Sequence, residues 1–168
     1  MTEEIKRNYL EINSIQDLRE TEKPSEHYSL NLIDPINFQL NKFFYKNIGK
    51  KHKWIDRLNW SEEKWINYVS SKDVNTYVLK YKNDLVGFFE SITHHDNSEI
   101  EIAYFGILEE YQNKQLGSYL LSEAIKESLN KKNIKRVWLH TCSLDHKNAL
   151  NNYLARGMKI FKTEFVNI

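Results

Sequence analysis

The segment EIEIAYFGI at residues 99–107 decides the fold, because its alternating side chains describe a β-strand and its glycine interrupts that strand. Ile100 and Tyr104 are predicted to share one face, which leaves Glu101 on the other. Gly106 breaks the alternation, and a glycine within a strand is typical of a β-bulge or of a close backbone approach. We therefore predict a strand over residues 99–107 with a bulge at Gly106.

The connection that follows this strand has the features of an anion site. The stretch QNKQLGS at residues 112–118 leads into a helix whose apolar side chains recur every three or four residues as far as Leu129. The first amides of a helix lack intrahelical acceptors and lie at the positive end of its dipole. Lys114 adds a positive charge and Gly117 allows close approach to the backbone, so a pyrophosphate fits here. An ordinary loop with an exposed lysine is the alternative.

Periodicity on both sides of this centre predicts a mixed α/β fold. Strands are predicted over residues 9–12, 27–33, 76–82, 85–93, 136–142 and 158–165, and helices over residues 36–48, from residue 61, over 116–129 and over about 147–156. The first helix is predicted to bury Ile36 and Phe43, and the second to bury Ile66. The order β-β-α-α-β-β-β-α-β-α-β gives a mixed, mostly antiparallel sheet with helices on both faces.

Length and charge exclude several classes of protein. The 168 residues suffice for one core and are too few for two full-size domains, so we predict a single domain over residues 1–168. With 24 Lys and Arg against 23 Asp and Glu, the net charge of +1 gives no general attraction for nucleic acid or anionic membranes. Cys142 is the single cysteine, and the acidic start has no apolar run behind it. We therefore expect a cytoplasmic protein without a membrane span.

Three stretches together resemble the GNAT superfamily of acetyl-CoA-dependent N-acetyltransferases. They are EIAYFGI at residues 101–107, QNKQLGS at residues 112–118 and DHKNALNNYLARGM at residues 145–158. The phosphate loop of that family has the pattern Gln/Arg-x-x-Gly-x-Gly/Ala, which Gln112 and Gly117 match. The third stretch matches its family motif without a substitution.

The resemblance implies a sheet splayed between two parallel strands, those holding Phe105 and Leu139. The pantetheine arm of acetyl-CoA would enter the gap like an additional strand and pair with backbone groups of Phe105 and Ile107. Residues 76–168 would form the acetyl-CoA-binding core, and residues 1–75 the acceptor side. The implied cofactor-binding residues are Phe105, Gly106, Ile107, Gln112, Asn113, Lys114, Gln115, Leu116, Gly117, Ser118, Asn148 and Tyr153.

Gln115 departs from the family pattern, since it stands where the middle glycine of the loop is expected. A helical φ at this residue would leave the loop amides available. A positive φ would strain the loop and weaken CoA binding. The substitution motivates an alternative function, that of a non-catalytic acyl-CoA-binding or regulatory domain.

Direct attack by a primary amine in a ternary complex is the activity that the resemblance implies, and three residues take catalytic roles in it. Glu101 matches a carboxylate position of some family members and is the predicted general base, with a solvated surface glutamate as the alternative. The amide of Ile107 is expected to bind the oxyanion. Tyr153 matches the general acid and is expected to act chiefly as a hydrogen-bond donor, because a phenol is a weaker acid than a thiol. A packed aromatic is the alternative for Tyr153.

The acceptor amine is assigned to the connection between the first two helices, which borders the acceptor site in the family. Asp56 and the indoles of Trp54 and Trp60 can hold an ammonium group by charge and cation–π attraction. Glu99 is added to this set, and it is also the alternate base. An aromatic cluster that anchors the loop is the alternative for these residues.

The remaining expectations concern metals and partners. His140, Cys142 and His146 have no fourth ligand at zinc-finger spacing, so no metal is expected. The acceptor is expected to be a small-molecule or peptide amine, and nucleic-acid interaction through the basic and aromatic residues after Ile48 ranks last. Only eleven residues follow Gly157, so the sheet is completed either by the N-terminal strands or by another subunit, which leaves a homodimer open.

Overall fold

The fold is built on one sheet of seven strands, seen in a computed structural model that describes residues 2–167. The strands are β1 (Glu4–Ile12), β2 (Tyr28–Leu32), β3 (Val74–Tyr81), β4 (Asp84–His94), β5 (Glu99–Ile107), β6 (Arg136–Cys142) and β7 (Lys159–Asn167). The helices are α1 (Phe38–Gly49), α2 (Glu62–Ser70), α3 (Leu116–Leu129) and α4 (Ala149–Ala155). The order of elements is the predicted one, and β1 is longer than predicted.

The strand order in the sheet is β2-β3-β4-β5-β6-β1-β7. The strands β5 and β6 run parallel, and the other neighbours are antiparallel. The N-terminal strand β1 lies between β6 and β7, where Arg7 is opposite Cys142 on one side and Glu164 on the other. The sheet is therefore extended beyond β6 by the N-terminal strand of the same chain.

Helices cover both faces of the sheet, as predicted. On one face, α3 packs through Leu120 and Ile125 onto Leu10, Ile100 and Val137, all of which are fully buried. On the other face, α1 packs through Phe44 and Ile48 onto β3 and β4, and the rings of Phe44 and Phe88 are stacked at 4.9 Å. Burial of these side chains supplies the main driving force for the fold.

Side-chain caps set the starts of the first two helices. The Asn37 side chain accepts a hydrogen bond from the Gln39 amide at 3.1 Å, and Ser61 accepts one from the Lys64 amide at 3.2 Å. The prediction for Ser61 is confirmed, whereas α1 begins at Phe38 and leaves Ile36 outside the helix and exposed. Two further positions of the predicted apolar stripes, Phe43 and Ile66, are exposed, whereas Phe44 and Trp65 of the same predicted stripes are buried.

The irregularity in β5 lies at Ala103, so the prediction of a bulge at Gly106 was wrong. Glu90 of β4 is opposite Tyr104, and the next residue, Ser91, is opposite Ile102, which leaves Ala103 as the additional residue. Gly106 pairs in register with Phe88, and a Cβ atom there would lie 2.7 Å from Cγ2 of Ile48. Gly106 is therefore needed for the close approach of α1 to the sheet.

The bulge also changes which face the second half of β5 presents. Ile107 packs in the same cluster as Ile100, and Phe105 packs against that cluster. Tyr104 packs against the opposite cluster, beneath α1. The prediction that Ile100 and Tyr104 share a face was therefore wrong, because one additional residue reverses the alternation.

Candidate active site

A cleft of about 1170 Å³ opens where β5 and β6 part. Their parallel pairing runs from Glu99 opposite Arg136 to Glu101 opposite Trp138, and the bulge at Ala103 follows directly. The cleft is lined by the separated ends of these strands, the start of α3, the segment before α4 and the segment between α1 and α2. Residues from both halves of the chain thus meet at one opening.

The loop before α3 presents the start of that helix to the cleft. Asn113 and Gln115 both have positive φ, of 65° and 61°. The Gln112 side chain donates a hydrogen bond to the Ile107 carbonyl at 3.2 Å, and the Ser118 hydroxyl donates one to the Gln115 carbonyl at 2.8 Å. The loop is fixed by these bonds, and the first amides of α3 lie at the cleft without intrahelical acceptors.

Gly117 differs from the other glycines of the chain in what surrounds it. A Cβ atom at Gly49, Gly87, Gly106 or Gly157 would lie within 2.7 Å of a neighbouring atom. A Cβ atom at Gly117 would meet only Asn152 Nδ2, at 3.8 Å, which is an ordinary contact. Packing within the protein does not require a glycine here, whereas a phosphate group held against the backbone does. The loop therefore fits a pyrophosphate.

Most of the predicted cofactor-binding residues line the cleft. These are Phe105, Gly106, Ile107, Gln112, Asn113, Gln115, Leu116, Gly117, Ser118, Asn148 and Tyr153. Lys114 does not line it, and its Nζ atom instead lies 5.4 Å from the centre of the Tyr111 ring. Asn148 occupies the N-cap position of α4 without a side-chain capping bond, so its amide group is not committed to the helix.

Glu101 lines the cleft with about 18% of its side chain exposed. One carboxylate oxygen, Oε1, lies 3.0 Å from Nε2 of His94. The His94 ring is stacked on the Trp138 indole, with the ring centres 6.1 Å apart, and this stacking fixes the orientation of the imidazole. Glu99 lies outside the cleft and forms an ion pair with Arg136 at 3.0 Å.

Tyr153 lies on α4 and is buried against Phe105 at the cleft wall. Desolvation raises the pKa of its phenol, and the neighbouring Asp145 and Cys142 raise this pKa further. The phenol is therefore protonated throughout the neutral pH range. In this state it can donate a hydrogen bond but has little tendency to give up its proton.

The acceptor-side residues Trp54, Asp56 and Trp60 also line the cleft, and both indoles are engaged within the protein. The Trp54 ring lies edge-on to Tyr104, with 4.8 Å between ring centres, and the Trp60 ring lies 4.9 Å from Trp65. The Arg57 guanidinium lies 4.7 Å from the centre of the Trp60 ring. An intramolecular cation thus already occupies this aromatic surface.

Arg57 and Glu90 form a buried ion pair that the sequence reasoning missed. Nη1 of Arg57 lies 2.9 Å from Oε1 of Glu90, and these side chains are 6% and 0% exposed. The Glu90 carboxylate also accepts hydrogen bonds from Tyr68 at 2.7 Å and from Asn41 at 2.8 Å. Tyr68 and Tyr104 lie against the guanidinium. The sequence signal for this pair was Glu90 itself, which lies inside the apolar run LVGFFESI. A carboxylate buried with such a strand needs a compensating partner, which indicates a buried cation.

Further contacts fasten the segment between α1 and α2 across the cleft. Lys51 pairs with Glu109, and Lys53 Nζ lies 2.6 Å from Glu3 Oε2. His52 Nδ1 lies 3.1 Å from the Leu144 carbonyl oxygen, on the far side of the opening. These contacts join the segment between α1 and α2 to the residue before β1, to the connection after β5 and to the segment before α4.

The sequence matches the acetyltransferase (GNAT) family over residues 35–158, and the chain belongs to this family. A comparison with curated proteins gave no match.

Solved structures share the fold at low sequence identity. A GCN5-related N-acetyltransferase from Kribbella flavida matches at 15% identity with a TM-score of 0.68, covering 96% of this chain and 56% of its own. One from Sphaerobacter thermophilus has 15% identity, a TM-score of 0.71 and coverages of 97% and 50%. The aminoglycoside acetyltransferase meta-AAC0020, from an uncultured soil metagenomic sample, has 12% identity, a TM-score of 0.65 and coverages of 80% and 90%. The chain therefore spans only 50–56% of the length of the Kribbella and Sphaerobacter structures.

Every helix within residues 2–167 is too short or too polar to cross a bilayer. In the part of the chain that the structure describes, no three His, Cys, Asp or Glu side chains are grouped to hold a metal ion.

Proposed function

We propose that this protein transfers an acetyl group from acetyl-CoA to the nitrogen of a primary amine, by direct attack in a ternary complex. The observation that carries the proposal is the opening between β5 and β6 beside the start of α3, where Gly117 has room that the protein itself does not fill. Residues 76–168 would bind acetyl-CoA and residues 1–75 would border the acceptor, within one domain.

The cofactor would lie with its pyrophosphate on the first amides of α3 and its pantetheine arm between the separated strands. β5 has no partner on the β6 side after Glu101, so its edge can pair with the amide groups of the arm. Asn148 faces the same opening. When bound, acetyl-CoA supplies the activated acyl group, and the chain supplies the positioning.

The acceptor must lose a proton before it attacks. An alkylamine with a pKa near 10.4 is only about 0.1% neutral at pH 7.4, which corresponds to about 4 kcal/mol. Glu101 is the proposed base, and His94 holds its carboxylate through the 3.0 Å contact. His94 is more exposed than Glu101, so it provides a route by which the proton reaches solvent.

Two donors would stabilise charge as the amine attacks. The Ile107 amide is proposed to donate to the oxyanion of the tetrahedral intermediate. Tyr153 is proposed to donate a hydrogen bond to the departing thiolate. The raised pKa of its phenol fits this role, since complete proton transfer to a thiolate would be uphill.

Release of free CoA thiol, measured over a panel of primary amines with acetyl-CoA, tests the proposal. The wild type should release thiol in an amine-dependent manner, and Glu101→Gln should lower kcat and change its pH profile. Tyr153→Phe should lower kcat while leaving acetyl-CoA affinity, measured by calorimetry, close to that of the wild type. Acetyl-CoA binding without thiol release from any amine would instead support the alternative function, a non-catalytic acyl-CoA-binding domain.

A further inference from the structure

Arg7 lines the cleft, and one donor of its guanidinium has no partner within the described residues. It lies on β1, between Cys142 of β6 and Glu164 of β7. Within the described residues its Nε atom is buried and has no hydrogen-bond partner. A guanidinium offers five donors, and an unsatisfied one inside a fold calls for a functional explanation.

The ion pair of Arg7 does not satisfy this guanidinium. Nη1 of Arg7 lies 3.5 Å from Oε1 of Glu164, which is long for a charge-assisted bond. The same oxygen already accepts a hydrogen bond from the Tyr9 hydroxyl at 2.6 Å, and Lys162 lies 3.4 Å from the other oxygen. Glu164 is therefore supplied by other donors, and Arg7 can bind a second anion.

A neutral histidine lies beside Arg7 on the neighbouring strand. His140 of β6 lines the same cleft. Partial desolvation in the cleft lowers the pKa of His140, and the charge of Arg7 lowers it further. The uncharged ring adds a hydrogen-bond group beside the guanidinium.

Most charged side chains in the cleft lining have partners within the protein. The cations are Arg7, Lys53 and Arg57, and the anions are Asp56, Glu101 and Asp145. Of these, Arg57 is bound by Glu90, Lys53 by Glu3, and Asp145 by the Thr141 hydroxyl and the Cys142 amide. Arg7 and Glu101 also have contacts, at 3.5 Å with Glu164 and at 3.0 Å with His94. Within residues 2–167, however, Arg7 keeps a buried Nε atom without a hydrogen-bond partner, and the His94 contact involves only Oε1 of Glu101. The groups that remain for a ligand are therefore donors of Arg7 and the carboxylates of Asp56 and Glu101.

We propose that the acceptor is a primary amine that also carries a carboxylate, an amino acid or a related compound, whose carboxylate is bound by Arg7. This inference rests on the proposed function, because it names the substrate class of the same site. The ammonium group would lie between Asp56 and Glu101, and the carboxylate would form the paired hydrogen bonds that a guanidinium makes with planar anions. A polyamine would leave Arg7 facing its positive charges, so it fits this cleft less well.

Matched acceptors test the proposal, namely L-lysine against cadaverine and β-alanine against ethylamine, with CoA thiol release as the measurement. The carboxylated member of each pair should have the higher kcat/KM. The ratio within each pair should fall about 10- to 100-fold in Arg7→Gln, the range expected for losing hydrogen bonds to a charged group. Arg7→Lys, which retains the charge without the planar fork, should give an intermediate ratio.

Arg136→Gln is the matched control. Arg136 lies on the neighbouring strand β6, is paired with Glu11 and Glu99, and does not line the cleft. This variant should retain the wild-type ratio. Thermal unfolding of all variants shows that each is folded, and calorimetry with acetyl-CoA shows that each retains the cofactor site.

The outcomes separate the inference from the proposed function. Acetylation of amines with equal kcat/KM within each pair, or with a ratio that Arg7→Gln leaves unchanged, overturns the inference and leaves the function standing. If no amine releases thiol, the proposed function fails. The anion site is then tested by calorimetric titration of L-lysine into the CoA-saturated protein. Binding that Arg7→Gln abolishes supports the site, and absence of binding overturns it.

Discussion

Two backbone positions at the start of α3, Gln115 and Gly117, differ in how they affect the stability of the fold and the proposed binding of CoA. Gln115 adopts a φ of 61°, a region that side chains other than glycine, asparagine and aspartate rarely occupy. A glutamine in this conformation is strained, and the strain lowers the stability of the fold. The structure thus gives Gln115 the positive φ that was expected to strain the loop, and its effect on CoA binding stays a prediction.

Gln115→Gly should raise the free energy of unfolding by about 1 kcal/mol, because it removes the steric strain of a side chain at positive φ. The melting temperature of a chain of this length should rise by about 2–4 °C. Asn113→Gly is the control, and its gain should be smaller because asparagine tolerates this region. Denaturant unfolding measures both, and a less stable Gln115→Gly protein would contradict the assignment of strain.

Gly117→Ala should separate cofactor binding from stability. A Cβ atom has room in the folded protein, and alanine is the better helix former by about 0.5–1 kcal/mol, so stability should hold or rise. Affinity for acetyl-CoA should fall, because the methyl group would occupy the space proposed for the pyrophosphate. Gly106→Ala is the contrasting variant. This variant should lower the stability of the fold, because its Cβ atom would lie 2.7 Å from Cγ2 of Ile48. Unchanged CoA affinity in Gly117→Ala, measured by calorimetry, would argue against the proposed phosphate position.

The segment between α1 and α2 is held as one unit by the buried pair of Arg57 and Glu90. Arg57 belongs to the segment and Glu90 to β4, so the pair fixes the acceptor side of the cleft onto the sheet. The aromatic rings around Arg57 exclude water from this pair. Removing one partner leaves a buried charge without compensation, which costs far more than the loss of a surface ion pair.

Arg57→Met should lower the free energy of unfolding by about 3–5 kcal/mol. Arg136→Met is a matched control, because Arg136 is more exposed than Arg57 and its pairs with Glu11 and Glu99 are worth about 1 kcal/mol or less each. The double variant Arg57→Met/Glu90→Met should recover part of the loss, since no charge is then left buried. Additive losses in the double variant, measured by denaturant unfolding, would show that the two side chains are not coupled.

The order of helices and strands could be predicted from the sequence because it depends on local patterns. The features that were predicted wrongly depend on contacts between residues distant in sequence. Ser61 and the apolar repeat from Leu116 to Leu129 located α2 and α3 correctly. The bulge at Ala103 could not be predicted, since it is defined by the pairing of β5 with β4. The sequence predicted the bulge at Gly106 instead. A glycine is required at that position because the backbone closely approaches Ile48 of α1.

The same distinction between local patterns and non-local contacts applies to the residues of the candidate site. Glu101, Tyr153 and the loop at residues 112–118 were predicted through a local motif, and all but Lys114 of the implied cofactor set line the cleft. Arg7 and Arg57 were missed, because their significance depends on strand neighbours and on a partner 33 residues away. Periodicity predicts which face a residue occupies, and it does not predict which strands are adjacent.

At the scale of the whole molecule, the position of β1 joins the two ends of the chain. Leu10 and Ile12 of β1 are buried in the same cluster as α3 and β6. The proposed division into an acceptor side before residue 76 and a cofactor side after it therefore does not correspond to a division of the sheet. Arg7 reaches the cleft only because β1 lies beside β6.

Acid should destabilise the protein in part through His140. The folded pKa of His140 is below its ordinary value of 6.5, chiefly because the protein around this cleft residue partly desolvates the imidazole. Below pH 6.5 the unfolded chain binds this proton and the folded chain resists it, so stability is fully present above pH 6.5 and falls as the pH drops toward the folded pKa. His140→Gln should lose less stability than the wild type between pH 7.5 and pH 5.5 in denaturant unfolding. Exposed His27→Gln is the control, and equal losses in all three proteins would contradict this role.

Hydrogen exchange tests whether the sheet receives acetyl-CoA at its opening. At a CoA concentration 100 times the Kd, amides that exchange only by global unfolding slow about 100-fold throughout the molecule, wherever the ligand binds. The informative amides are those that exchange by local opening, and the edge of β5 after Ala103 belongs to this class because β6 no longer pairs with it. CoA should therefore slow exchange in residues 102–108 and 115–118 more than in β2 and β3.

The fragments of the cofactor make this test specific. Pantetheine alone should protect residues 102–108, whereas ADP alone should protect residues 115–118, because the two groups are proposed to occupy different parts of one cleft. Protection at the start of α3 without protection along β5 would mean that the arm lies outside the gap. The sheet would then be splayed for a reason other than the cofactor, and the proposed attack geometry at Glu101 and Ile107 would have no basis.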